Sequence, residues 1–361
     1  MFREQDIKSI NKSISSVLRS GWLTSGPLVA RFESEFKAVS GTRFAIALSS
    51  ATAALHTIAA SLSLKARDEV IVPANTFAST ANAALYVGAK PALADCDLRS
   101  FNVTAETIER CITPKTKAVI VTHIAGNPCE MEPIISLCRE RDLVLSEDVA
   151  HASGGKYKGK LCGSLSYAGA HSFYPTKIIA AGEGGMIGTN SKPLADFART
   201  FRNMGREAFG HGPIVKLGYN YRMSDIHAAI GLSQLHRIGE FIEKRNRLAR
   251  RYSDLLGAVR WTAPQEVAEH SRCTYYSYII RLLPEAPISR DGLSKALASK
   301  GIETTVMFTP LHKQPYFERF FKQRTSLANA ESIGLESIAL PMHAGMVEDD
   351  VDYVVKAIKE A

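Results

Sequence analysis

A doubly wound α/β domain with a mostly parallel sheet, followed by a smaller C-terminal α+β unit, is the fold class this sequence predicts. From about residue 40, short apolar, β-branched runs alternate with helical stretches, which implies parallel pairing with both sheet faces covered. Beyond about residue 256 the texture changes to a strand and two helices set apart from that alternation. Apolar residues make up 45% of the 361, enough for a sizeable core, yet no apolar run is long enough to span a bilayer.

Each element has its own justification. FAIALS (44–49) leads into TAALHTIAASL, and EVIVPA (69–74) leads into TFASTANAALYV. PALAD (91–95), KAVIVT (117–122) and LVLSE (143–147) supply further strands. AGAHSFY and GGMIGTN read as buried strands on either side of Lys177. Between LVLSE and AGAHSFY, GGKYKGKL nearly matches a P-loop, but Leu161 stands where a magnesium-holding hydroxyl belongs, and KYKGK suits a hairpin turn better. GEGGMIG is no dinucleotide fingerprint either, because Ile187 takes the last glycine position and a strand follows instead of a helix.

A long helix is expected over 224–256, with Ser224 as its N-cap. YYSYIIRLL then reads as a strand, DGLSKALASKG as a helix ending at Gly301, and VEDDVDYVVKAIKE as a last helix. The domains expected are residues 1–245 and 246–361.

Several function classes drop out. Six scattered cysteines with no C-x-x-C pair fit reduced thiols in a cytoplasmic protein, and the N-terminus lacks a signal-peptide core. The net charge of +8 favours anionic partners, but the densest basic run, EKRNRLARR (243–251), contains an acid and reads as a solvated helix face, not a nucleic-acid surface. No metal site is expected, since His151 and His171 lie far apart and H-E-x-x-H is absent.

Three features carry chemistry. In LSSATAALH (48–56) a strand ends and a helix starts near Thr52, where backbone amides and a hydroxyl can hold a phosphate or simply cap the helix. SEDVAH (146–151) puts two carboxylates at a strand's C-terminal end, where open α/β sheets bind ligands. There Asp148 is either a helix N-cap or the acceptor of a proton from a heterocyclic nitrogen. The third is Lys177, a lysine among buried strands whose charge needs compensation. A phosphate cradle, a carboxylate for a ring nitrogen and a lysine amine are together what pyridoxal 5′-phosphate requires.

At these residues the sequence resembles the DegT/StrS-type sugar aminotransferases, fold-type I pyridoxal-phosphate enzymes. The resembling blocks are GWLTSGP (21–27), SSATAALH (49–56), DEVIVPANTF (68–77), SEDVAHASGGKYKGK (146–160), SFYPTK with GEGGMI (172–187), GYNYRMSDIHAAIGLSQL (218–235) and PLHKQPYF (310–317), all in family order. The resemblance implies that Lys177 binds the cofactor covalently and then acts as the base. Asp148 would pair with the ring nitrogen, Phe77 would stack on one face of the ring, and His151 would pack on the other. Ala51, Thr52 and Ser172 would hold the phosphate. Asn220 would reach the phosphate of a neighbouring subunit, making the active unit a homodimer. Arg222, His312 and Tyr174 are implied as substrate or donor contacts.

Lysine at 177, where a dehydratase branch has histidine, favours transamination. Tyr276 departs from a position where many members have histidine, and His151 leans towards amination at C4 over C3. The implied activity moves an amino group from L-glutamate to a nucleotide-linked deoxysugar, for lipopolysaccharide, another glycan or a glycosylated natural product. The rival readings are the same chemistry on a free keto sugar, sugar acid or cyclitol, and a pyridoxal-phosphate-binding regulator without turnover.

Overall fold

The computed structural model of the chain describes residues 2–207, 212–318, 321 and 325–361. The strands, in chain order, are β1 (Phe44–Leu48), β2 (Glu69–Pro73), β3 (Lys90–Ala94), β4 (Thr116–Thr122), β5 (Val144–Asp148), β6 (Lys156–Tyr157), β7 (Lys160–Leu161), β8 (Gly169–Ser172), β9 (Gly185–Thr189), β10 (Thr262–Pro264), β11 (Ser271–Arg272), β12 (Tyr278–Leu282) and β13 (Ser337–Leu340).

Seven of them form the central sheet in the order β1-β9-β8-β5-β4-β2-β3. The β3-β2-β4-β5-β8 run is parallel, while β9 is antiparallel to both of its neighbours. Helices cover both faces, so the strands are apolar throughout: Ile46, Ile71, Val72, Val119 and Val121 are all buried. Register sets Thr122 beside Asp148 and Asp148 beside Ala170, which brings the carboxyl ends of β4, β5 and β8 together.

Local signals account for the helices that matter to the site. Helix Ala51–Ser61 is capped by Ser50, whose Oγ accepts from the Ala53 N–H at 3.1 Å. Helix Asp225–Leu235 begins at Ser224, whose Oγ accepts from the His227 N–H at 3.2 Å. The single helix expected over 224–256 is in fact two, Asp225–Leu235 and Ile238–Leu256. The break falls at Arg237, whose backbone leaves helical geometry while its guanidinium pairs with Asp6 and Glu240.

KYKGK forms the hairpin of β6 and β7, with Gly159 at φ 77° in the turn, and β11 pairs along its edge. GEGGMIG runs directly into β9. Strands β10, β12 and β13 make a second sheet. Its core joins Leu248 and Tyr252 of helix Ile238–Leu256 to Leu293 and Leu297 of helix Arg290–Ser299 and Val351 and Ile358 of helix Glu348–Lys359. Among the described residues, no helix is long and apolar enough to cross a membrane, and all six cysteines are buried.

Candidate active site

A cavity of about 370 Å³ opens at the carboxyl edge of the central sheet. It is lined by Ala51, Thr52, Phe77, Asp148, His151, Ser172, Tyr174 and Lys177 from the sequence reading. Asn220 and Arg222 line an adjoining cavity of about 320 Å³, and Glu183 borders both. His312 stands outside these linings, its Nε2 2.9 Å from Glu331 Oε1 in a partly buried hydrogen bond. Stretch 209–216, which carries no motif in the sequence, lies partly outside the described residues, as does 317–328.

Asp148 ends β5 and is buried. No helix follows it, so it is not an N-cap; its Oδ1 instead accepts from the Ala150 N–H at 3.0 Å in a turn. Its Oδ2 accepts from Thr80 Oγ1 at 2.8 Å. Thr80 is 2.9 Å from Thr76, which is 2.9 Å from Thr122 on β4, so a line of hydroxyls leads into the carboxylate. Burial pushes the carboxyl above its usual range, opposed by these hydrogen bonds and by the nearby Lys177 charge. Such a group favours a cation beside it.

Glu147, the other carboxylate of SEDVAH, points to the opposite face, as alternation along a strand requires. It accepts from His123 Nε2 at 3.0 Å, Gly163 N–H at 2.7 Å, Leu165 N–H at 3.0 Å and Ser166 Oγ at 2.8 Å. The Cys129 N–H donates to His123 Nδ1 at 3.0 Å, so the imidazole proton lies on Nε2 and is directed at Glu147. Glu147 is saturated and serves the fold.

Lys177 is half-buried, and its ammonium lies 4.3 Å from the centre of the Tyr276 ring. The Tyr276 ring stacks on His151 at 4.2 Å and 9°, with Phe308 5.9 Å from His151. Burial, with the neighbouring Lys177 charge, holds the His151 imidazole well below the usual histidine range, so it is neutral. Among the described residues, its buried Nδ1 has no hydrogen-bond partner. Phe77 is 59% exposed, its ring open to the cavity.

At the far end, Thr52 Oγ1 lies 2.7 Å from Ser79 Oγ beside the first turn of helix Ala51–Ser61. Gly185 backs this turn so closely that a Cβ there would lie 2.3 Å from the Ser50 carbonyl carbon. Pyridoxal 5′-phosphate fits this donor set. The helix N-terminus with Thr52 and Ser172 suits the phosphate, the Asp148 carboxylate suits a protonated ring nitrogen, and the Lys177 amine suits the aldehyde. Thr76, Thr80, Thr122, Tyr276 and Phe308 complete the surroundings; from sequence, only Tyr276 carries a signal, its departure from histidine. Among the described residues, no cluster of metal-binding side chains exists.

The profile of the DegT/DnrJ/EryC1/StrS aminotransferase family matches residues 4–359. The GDP-perosamine synthase of Caulobacter vibrioides is 38% identical over 342 residues, covering 94% of this chain and 91% of that one. The structure of DesI in the presence of its TDP-sugar product superposes with a TM-score of 0.89 at 30% identity, covering 98% of this chain and 89% of the other. A Streptococcus pneumoniae protein in its PLP form superposes at 0.91 with 27% identity, covering 98% and 95%.

Proposed function

The chain belongs to the DegT/DnrJ/EryC1/StrS aminotransferase family and is a pyridoxal-phosphate-dependent sugar aminotransferase, and on that premise we propose that it carries an amino group from L-glutamate to a keto carbon of a nucleotide-linked deoxysugar, C4 before C3. One observation carries the reading: an amine (Lys177), a buried carboxylate short of a cation (Asp148) and a helix N-terminus (Ala51–Ser61) meet around one cavity. The nucleotide part is supported by the C. vibrioides and DesI relatives and by the net charge of +8.

When bound, pyridoxal 5′-phosphate supplies an aldehyde that condenses with amines and an electron-poor ring. In our reading the Ala51 and Thr52 amides and the Thr52 and Ser172 hydroxyls hold the phosphate against the positive end of the helix dipole. Asp148, fixed by Ala150 and Thr80, holds a proton on the ring nitrogen. Phe77 and His151 hold the ring from its two faces; a neutral His151 packs there without adding a second positive charge. Lys177 binds at Nζ and then moves a proton at that same atom.

Tyr174, 49% exposed, and Arg222 are offered to the substrate or donor. His312, joined to Glu331 through Nε2, stands apart from them. We further propose a homodimer in which Asn220 completes the partner's cavity. Exposed Ile214 (67%) and Leu217 (77%) beside it form apolar surface for a second copy to cover.

The test is mass spectrometry of products from a pool of keto-sugar nucleotides and free keto sugars with L-glutamate, with NMR of the product to assign the aminated carbon. Turnover confined to compounds without a nucleotide overturns the substrate class.

A further inference from the structure

We propose that Tyr276 is the resting dock of the Lys177 ammonium whenever that amine is not joined to the cofactor, holding it over the aromatic face as a positioning residue. The proposal rests on the reading of Lys177 as the cofactor-bearing residue. In one half of an aminotransferase cycle the amino group rides on the cofactor, and through that half the lysine amine is not joined to it. It needs a site that keeps it close without holding it fast.

The structure supplies a π face. The Lys177 Nζ lies 4.3 Å from the Tyr276 ring centre. Among the described residues, no carboxylate lies within ion-pair distance of Lys177; Asp148 acts on its charge only at longer range, and the ring is its direct contact. The ring is held on three sides. Its hydroxyl is 3.0 Å from Thr176 Oγ1, on the residue next to the lysine. Its other neighbour is the His151 imidazole, stacked 4.2 Å away and nearly parallel. Its backbone is gripped by Arg245, whose Nη1 donates to the carbonyls of Tyr275 (2.9 Å), Tyr276 (3.0 Å) and Met342 (2.8 Å).

Arg245 is itself buried, so this clamp stays shielded from solvent. The dock suits its task because a cation–π contact is weaker than a buried ion pair. A carboxylate in the same place would keep the amine protonated and tied, whereas the ring lets it leave as a neutral nucleophile. The titratable groups around Lys177 in the cavity are Asp148, His151, Tyr174, Glu183 and Tyr276.

The experiment loads the enzyme with pyridoxamine 5′-phosphate, which has no aldehyde and leaves Lys177 free whichever donor or sugar the enzyme uses. The loaded protein is exposed to an acetylating reagent, and Lys177 modification is followed by peptide mass spectrometry. At neutral pH, Tyr276→Leu is expected to speed labelling about 2- to 30-fold, the span of a cation–π contact. Tyr276→Phe, which keeps the ring, should remain within about twofold of the unaltered enzyme.

The Leu effect should shrink towards unity well above the ordinary lysine range near pH ~10.4, where the amine is neutral with or without a dock. A ratio that persists at high pH signals wider reagent access and overturns the proposal. So does unchanged labelling in Tyr276→Leu, or equal acceleration by Phe and Leu. Loading itself is read from pyridoxamine 5′-phosphate fluorescence; a cofactor that does not bind at all refutes the cofactor reading, a failure separable from loss of the dock alone.

Discussion

At the end of β5 two neighbouring carboxylates face opposite sides of the sheet and meet different fates. Glu147 collects four donors, from His123, Gly163, Leu165 and Ser166, and has no capacity left for a ligand. Asp148 collects two, from Ala150 and Thr80, and its remaining lone pairs face a cavity. Both are buried, so burial alone does not mark a functional acid. The difference lies in how much of each hydrogen-bonding capacity the protein itself consumes. A saturated carboxylate holds loops together, and an undersupplied one waits for a partner from outside.

The largest effect that bears on this contrast is expected at Lys177, the amine that shares the cavity with Asp148. Lys177→Ala should lower kcat by a factor on the order of 10⁴ or more, because base catalysis and the covalent link go together. Circular dichroism should be unchanged; substantial turnover with an intact fold would sever the cavity from the chemistry.

Asp148→Asn comes next, with kcat expected to fall on the order of 10²- to 10³-fold for loss of one preorganised charge. Its stability should move the other way. Burial raises the Asp148 carboxyl above its unfolded value. Its contribution to stability is therefore full below the unfolded pKa and is lost as pH climbs through the raised native value. Cofactor-free Asp148→Asn should therefore melt at or above the temperature of the cofactor-free parent at pH ~7. A lower melting point would mean that the protein already satisfies this carboxylate.

Glu147→Gln should show the mirror image. Turning the amide nitrogen towards the Gly163, Leu165 or Ser166 donors leaves buried groups unpaired, at a cost of about 3 kcal/mol or more, seen as a lower denaturant midpoint. The kcat of the folded fraction should stay within about threefold, on the order of an ordinary structural change. A selective loss of kcat at unchanged stability would erase the distinction between the two acids.

The smallest effect is expected for Thr80→Val, which removes one of the two donors to Asp148. A hydrogen bond to a charged group is worth about 1.5–3 kcal/mol, so a fall in kcat of about tenfold is the scale, with little change in KM.

Much of this contrast was beyond the reach of the sequence, for a physical reason. Alternating apolar runs announce parallel strands because burial on both faces writes a local pattern. Ser224 and the KYKGK turn were legible because caps and hairpins act over three or four residues. SEDVAH shows two carboxylates, but which one is saturated depends on His123, 24 residues away, and on the 163–166 turn. The hydroxyls of Thr76, Thr80 and Thr122 sit in segments that read as plain strand ends and helix. The break at Arg237 was hidden because its cause, Asp6, is 231 residues distant. The convergence of Lys177, Asp148 and Thr52 was inferred from family order, since no local rule joins three side chains so far apart in the chain.

The row of threonines has one more implication. A carboxylate can only accept, so Thr80 must point its hydrogen at Asp148, Thr76 must then point at Thr80, and Thr122 at Thr76. Three dipoles from two separate stretches of chain are aligned like compass needles by one negative charge. Neutralising that charge frees every needle to swing, so the ionisation state at the cavity floor is legible at Thr122, two hydroxyls removed from the acid.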